Sequence, residues 1–158
     1  MDSRTLFPLD TSSLIALLTH QRALLEQLLF RHTELRLLIE AGEARFLGRT
    51  IDEIDSIESE LGTLEMLRAM TTEEIAHGHD LPSDPSLAEL IRVVPEPARE
   101  GLTVLADDLR ELMRAIEGHR THGSEIAGRR AQRLADASIR PASDGYRSDG
   151  SAGLTPGA

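Results

Sequence analysis

Residues 102–126 have the sequence LTVLADDLRELMRAIEGHRTHGSEI. Within this segment, positions separated alternately by three and four residues form one narrow stripe along an α-helix. The stripe consists of Leu102, Leu105, Leu109, Leu112, Ile116, His119, Gly123 and Ile126. Its first half is wholly apolar, whereas the positions after Ile116 are mostly small or polar. We therefore predict a helix that packs in a core over its first half and presents a different surface over its second half.

The second half of this helix admits two interpretations. It either frays into solvent or forms a groove surface that accepts a helix of another chain. In the second interpretation, nearby arginines attract an acidic partner. These arginines are Arg120, Arg129, Arg130 and Arg133. The helical pattern by itself favours neither interpretation.

The composition of the chain limits its class. The chain has 158 residues, of which 40% are hydrophobic and 3% aromatic, and this favours one domain of packed helices over a β-sandwich. A net charge of −10 argues against nonspecific nucleic-acid binding, although residues 118–140 hold five arginines against two acidic residues. Cysteine is absent, and no apolar run approaches the length of a membrane span. We expect a cytoplasmic protein without a leader peptide, membrane insertion or a nucleic-acid partner.

Capping and turn signals divide the first half of the chain into two long helices. The first is predicted to begin just after residues 10–13 and to end before Gly42, which favours the left-handed conformation that closes helices. The second is predicted to follow from Ala44 to about His77, with a capping box at residues 50–53 as an alternative start.

The second half begins with a loop at residues 78–85, where Pro and Gly are concentrated. Residues 86–89 then match a capping box that opens a short helix over residues 87–93. Two prolines in residues 95–97 end this helix, and the final helix is predicted to run from about residue 97 to about Ser138.

Together these elements predict an all-α fold, an elongated antiparallel bundle of three long helices and one short helix. The helical domain is expected to cover residues 14–138, after an N-terminal extension over residues 1–13. Residues 139–158 are predicted to be a disordered tail, because Gly, Ser, Pro and Asp leave them little apolar surface to bury.

The residues that carry chemistry do not form a complete catalytic pattern. Glu74 and His77 match the Glu-x-x-His pair of di-iron bundles, but such sites need a second pair and two further glutamates. His119 and His122 share a helical face, yet a third ligand at a matching offset is missing. No Gly-x-Ser-x-Gly motif occurs. We therefore predict no catalytic residue, metal or cofactor, and rank last a metal-dependent helical enzyme that uses Glu74, His77 and His79.

Five segments occur in an order and spacing typical of one family. They include a leucine-rich opening, a helical turn with a small residue, Gly and an acid, and the first half of the long final helix. The segments are residues 24–29, 40–43, 64–68, 86–91 and 105–112. On these segments the chain resembles the FlgN family of flagellar export chaperones, over about residues 14–138.

The resemblance implies a helical cytoplasmic chaperone without catalytic activity. Members of the family bind the amphipathic C-terminal helices of hook-filament junction proteins (hook-associated proteins) and prevent their premature polymerisation. They deliver these clients to the flagellar type III export apparatus, which makes export-gate or export-ATPase components further expected partners. The chain departs from the family at residues 119–126, where family members often carry asparagine.

The leading hypothesis places the client contacts on the final helix. The residues expected to make them are Leu109, Leu112, Met113, Ile116, His119, Ile126, Arg130 and Leu134. The alternative is a structural or adaptor protein that self-associates as a coiled coil. In that case residues 102–134 pair with a second copy to form a homodimer, and no export client is bound.

Overall fold

The computed structural model describes residues 10–139, except for the side chains at positions 127, 130 and 137–139. The elements, in chain order, are α1 (Thr11–Ala41), a 3-10 turn (Ala44–Phe46), α2 (Leu47–Gly78), α3 (Leu87–Val93) and α4 (Ala98–Ile139). No strand occurs between residues 10 and 139. The predicted all-α class, with three long helices and one short helix, is confirmed. The predicted extension over residues 1–13 is shorter than expected, because α1 already begins at Thr11. Residues 1–9 of the extension and residues 140–158 of the predicted tail over residues 139–158 lie outside the described range.

Local hydrogen bonds set both ends of α1. The helix begins at Thr11 because Asp10 is its N-cap, and the Oδ1 atom of Asp10 accepts a 3.0 Å hydrogen bond from the backbone N–H of Ser13. This hydrogen bond lowers the pKa of Asp10. At the other end Gly42 has a φ of 72°, and its N–H donates to the carbonyl of Ile39. The predicted stop at Gly42 is confirmed.

α2 begins between the two starts that the sequence suggests. The 3-10 turn leads directly into the helix, so its first residue is Leu47. Thr50, which the capping-box alternative placed before the first turn, is buried inside the helix instead. A local capping pattern therefore did not determine this helix start.

α3 has the predicted bounds, and a complete capping box explains them. The backbone N–H of Ser86 donates to Glu89 Oε2 at 2.7 Å, and the N–H of Glu89 donates to Ser86 Oγ at 3.2 Å. The same bonds from Ser86 lower the pKa of Glu89. Leu90 and Val94 are fully buried, so this short helix is held by packing as well as by its cap.

The chain divides into two compact units between Gly123 and Ser124, inside α4. In the first unit, α1 and α4 run parallel, because three contacts join residues that are 86 positions apart. They are the hydrogen-bonded pairs Arg22 with Asp108 and Thr33 with His119, and the approach of Ile15 to Gly101, where an added Cβ would lie 3.9 Å from Ile15 Cδ1. Along each helix, successive pairs are separated by seven and then eleven residues, which is close to two and three helical turns. The two helices therefore keep one register over this length.

α2 runs antiparallel to both of these helices. Two contacts join it to α1 in the order that an antiparallel arrangement requires, Arg31 with Glu53 and His20 with Glu60. One ion pair, Arg120 with Glu58, joins it to α4, which is parallel to α1. The second unit is described only as the helical continuation of α4 to Ile139.

Apolar side chains from all four helices form the core of the first unit. The largest fully buried residues include Leu14, Leu18, Leu28, Leu90 and Leu102. Burying a leucine side chain in this way contributes about 1.5–3 kcal/mol relative to exposing it. The core also holds most of the apolar positions predicted for the first half of the final helix, which confirms the packing of that half. Among the described residues, no helix is both long and apolar enough to cross a membrane.

Candidate helix-binding groove

An open groove lies between α2 and α4, and α1 forms its floor. We call it the α2–α4 groove. It encloses about 310 Å³ and is lined by Leu25 and Leu28 of α1, Glu58, Leu61, Gly62 and Glu65 of α2, and Met113, Ile116, Glu117 and Arg120 of α4. Gly62 leaves one wall position without a side chain, and apart from its chain neighbours and the backbone of its own helix, no described atom lies within 4 Å of where its Cβ would be. The groove therefore has an apolar floor, one small wall position and charged rims.

A second groove, of about 540 Å³, adjoins the first on the other side of Met113. We call it the α3–α4 groove, because its apolar lining comes mainly from these two helices. Met113 and Glu117 line both grooves. Since the Met113 side chain is 59% exposed, it stands as a flexible apolar ridge between them.

α3 itself packs beside these grooves and against the bundle. Its Leu87 and Ile91 line the α3–α4 groove, while its buried Leu90 belongs to the core. Glu65 lines the α2–α4 groove and also a hollow beside residues 84–87, which lead into α3. The α2–α4 groove thus lies next to the start of α3. This face of the bundle already holds one short helix by apolar contacts.

The five predicted client-contact residues that lie in the first unit differ in their burial. Leu109 and Ile116 are only 6% and 4% exposed and belong to the core, although each also lines one of the grooves. Leu112 is half-buried, and His119 is half-buried with its Nε2 atom 3.3 Å from Thr33 Oγ1. Among these five, Met113 combines a place in the grooves with large exposure.

The remaining three predicted contacts lie in the second unit. Ile126 is half-buried and Leu134 is 64% exposed. The side chain of Arg130 lies outside the described part of the structure. The assignment of all eight residues to client contact stays a prediction.

The residues that α1 and α2 contribute to the groove were not predicted from the sequence. Leu61, Gly62 and Glu65 form its second wall, and Leu25 and Leu28 form its floor. The available signal was Gly62, a small residue within an otherwise regular apolar pattern. The helix that lies opposite Gly62 is determined by how three helices pack together. The periodicity within one helix contains no information about that packing.

Charges differ between the two grooves. In the α2–α4 groove, Arg120 is ion-paired with Glu58, which leaves Glu65 and Glu117 on opposite walls without an ion pair among the described residues. In the α3–α4 groove the lining includes Arg68, Arg110 and Arg114. The arginines predicted to attract an acidic partner are in part paired within the chain, since Arg129 also lies 4.0 Å from Glu125.

A histidine lies next to the charged rim of the α2–α4 groove. His32 is half-buried, and its Nε2 atom has no hydrogen-bond partner among the described residues. Burial lowers the pKa of His32, and the positive charge of Arg120 lowers it further, against an opposing effect of Glu58. The neutral imidazole is therefore favoured at this position.

The residues of the metal-enzyme hypothesis lie on the surface. Glu74, His77 and His79 are all exposed, near the end of α2. Between residues 10 and 139, no group of three or more His, Cys, Asp or Glu side chains is arranged to hold a metal ion.

Comparisons with protein-family models, with curated proteins and with solved structures found no match to this chain.

Proposed function

We propose that this chain is an export chaperone that binds an amphipathic helix of a client protein in the α2–α4 groove. The client class follows from the resemblance over residues 14–138: the C-terminal helices of flagellar hook-filament junction proteins. In this proposal the chaperone acts in the cytoplasm, keeps the client from polymerising and delivers it to the type III export apparatus. Binding is stoichiometric and involves no turnover.

The observation that carries the proposal is the open groove with an exposed methionine at its edge. An amphipathic helix buries an apolar stripe when it docks between two helices, and the floor formed by Leu25 and Leu28 offers a matching apolar surface. Met113 can adapt its shape to different apolar side chains because its thioether chain is flexible and polarisable. The seating of α3 on the same face supports this geometry, since a helix already packs there.

The test is the mass of the complex in solution, measured by light scattering on the purified chain alone and mixed with C-terminal segments of candidate junction proteins. We expect a discrete complex with one client. Met113→Asp should weaken it by at least about tenfold, because a carboxylate would be buried against the client's apolar stripe. An Asp at Ile116 is a poor test, since Ile116 is a core residue and its replacement would disturb the fold.

Val104→Asp is the matched control, because Val104 is also an exposed apolar residue of α4, 52% exposed, and lines neither groove. Equal losses with both variants would contradict docking in the groove. No complex with any candidate, together with a concentration-dependent homodimer, would favour the self-associating coiled coil instead.

A further inference from the structure

The α2–α4 groove carries negative charge that no cationic side chain of the groove neutralises. Glu65 on α2 and Glu117 on α4 flank the apolar floor from opposite walls, and both are exposed. Arg120 is the one cationic side chain among the lining residues, and it is already bound to Glu58. A helix that entered the groove would therefore pass between two free carboxylates.

The neighbouring α3 does not neutralise these carboxylates. Its basic residue, Arg92, does not line this groove and instead interacts electrostatically with Glu89 of its own helix. The arginines of the α3–α4 groove lie on the other side of Met113, and along α4 the sign of charge changes between Arg114 and Glu117. Three residues of helix correspond to about 4.5 Å. Glu117 borders both grooves, whereas Glu65 lines the α2–α4 groove and not the α3–α4 groove. Of the two grooves, the α2–α4 groove therefore has free carboxylates on both walls.

We infer that the helix bound in the α2–α4 groove is cationic, with Lys or Arg on both sides of its apolar stripe at the level of Glu65 and Glu117. This inference rests on the proposed function, because it specifies the helix that the groove binds. An acidic helix would place like charges beside these two glutamates, which disfavours binding, whereas basic side chains would form ion pairs there. The acidic partner suggested by the arginines of the final helix fits this groove poorly.

The experiment uses the full chain and two designed fluorescent peptides of 18 residues. Both peptides have the same Leu stripe at helical spacing, and the positions flanking the stripe are Lys in one and Glu in the other. Affinities are measured by fluorescence anisotropy at roughly 50 mM and 500 mM NaCl, because ion pairs at exposed sites weaken with added salt. We expect the Lys peptide to bind about five- to tenfold more tightly at low salt, and the difference to shrink at high salt.

The variant Glu65→Gln with Glu117→Gln should remove most of this preference while keeping side-chain size. The matched control is Asp52→Asn with Glu111→Gln, which removes one exposed acid from each of the same helices outside both grooves. A preference that survives the groove variant, or that the control abolishes equally, would overturn the inference.

Two further outcomes separate this inference from the proposed function. If both peptides bind equally and Met113→Asp weakens both, the groove binds helices but does not select cationic ones, so only this inference fails. If neither peptide binds, or if Met113→Asp leaves both affinities unchanged, helix binding in this groove and its preference for cationic helices are both refuted.

Discussion

A single half-buried histidine links pH to the stability of the bundle. The pKa of His32 is lowered in the folded chain, chiefly by burial, whereas in the unfolded chain it lies near the usual value of about 6.5. Below that pH the unfolded state takes up a proton that the folded state resists. The free energy of unfolding should therefore fall as pH decreases from about 6.5 toward the folded pKa, and level off below it.

We predict that His32→Gln flattens this dependence, because glutamine does not titrate. The measurement is the urea midpoint at pH 7.5, 6.5 and 5.5, and the control is His77→Gln, which changes an exposed histidine of α2.

Two carboxylates titrate outside this pH range. The carboxylates of Asp10 and Glu89 have lowered pKa values, so their stabilising effect is lost only at more acidic pH, below about 4.5. Equal slopes for the wild type and His32→Gln would refute the assignment to His32.

At the scale of single elements, α3 depends on its capping box. We predict that Ser86→Ala destabilises the chain by about 0.5–2 kcal/mol, because the N–H of Glu89 loses its acceptor at the first turn. Amide hydrogen exchange should accelerate most in residues 87–93. The matched control is Ser56→Ala, an exposed serine within α2 that caps no helix, for which we expect a change within about 0.5 kcal/mol.

The prediction of elements succeeded where short-range hydrogen bonds decide them. Gly42 ends α1 through its own backbone conformation, and Ser86 with Glu89 opens α3, so residues within one turn contain the necessary information. The start of α2 was not predicted correctly by the capping box at residues 50–53, because Thr50 lies on the buried face inside the helix and does not cap it.

The groove could not be predicted in the same way. Its walls come from α2 and α4 and its floor from α1, so its existence depends on how closely three helices pack. Residues chosen from the final helix alone included Leu109 and Ile116, whose periodic spacing marks them as core positions as readily as contact positions. Met113 lies one residue beyond that stripe, and its exposure follows from the tertiary arrangement.

At the scale of the whole first unit, one shared core predicts one cooperative transition. Leu18 is fully buried among residues from the other helices, so Leu18→Ala should cost about 2–5 kcal/mol. Because natural domains are stable by only about 5–15 kcal/mol, this is a large fraction of the total. Leu37→Ala changes a leucine of the same helix that is 54% exposed, and it should cost far less.

The measurement compares urea midpoints from far-UV circular dichroism with those of individual amide signals in α1, α2 and residues 98–123 of α4. Coincident midpoints in the wild type, shifted together by Leu18→Ala, are expected if these helices fold as one unit. If the amides of α4 lost structure before those of α1, the contacts from Arg22 to Asp108 and from Thr33 to His119 would not join one cooperative core. The α2–α4 groove would then lack one rigid wall, and a docked helix would have to order α4 as it binds.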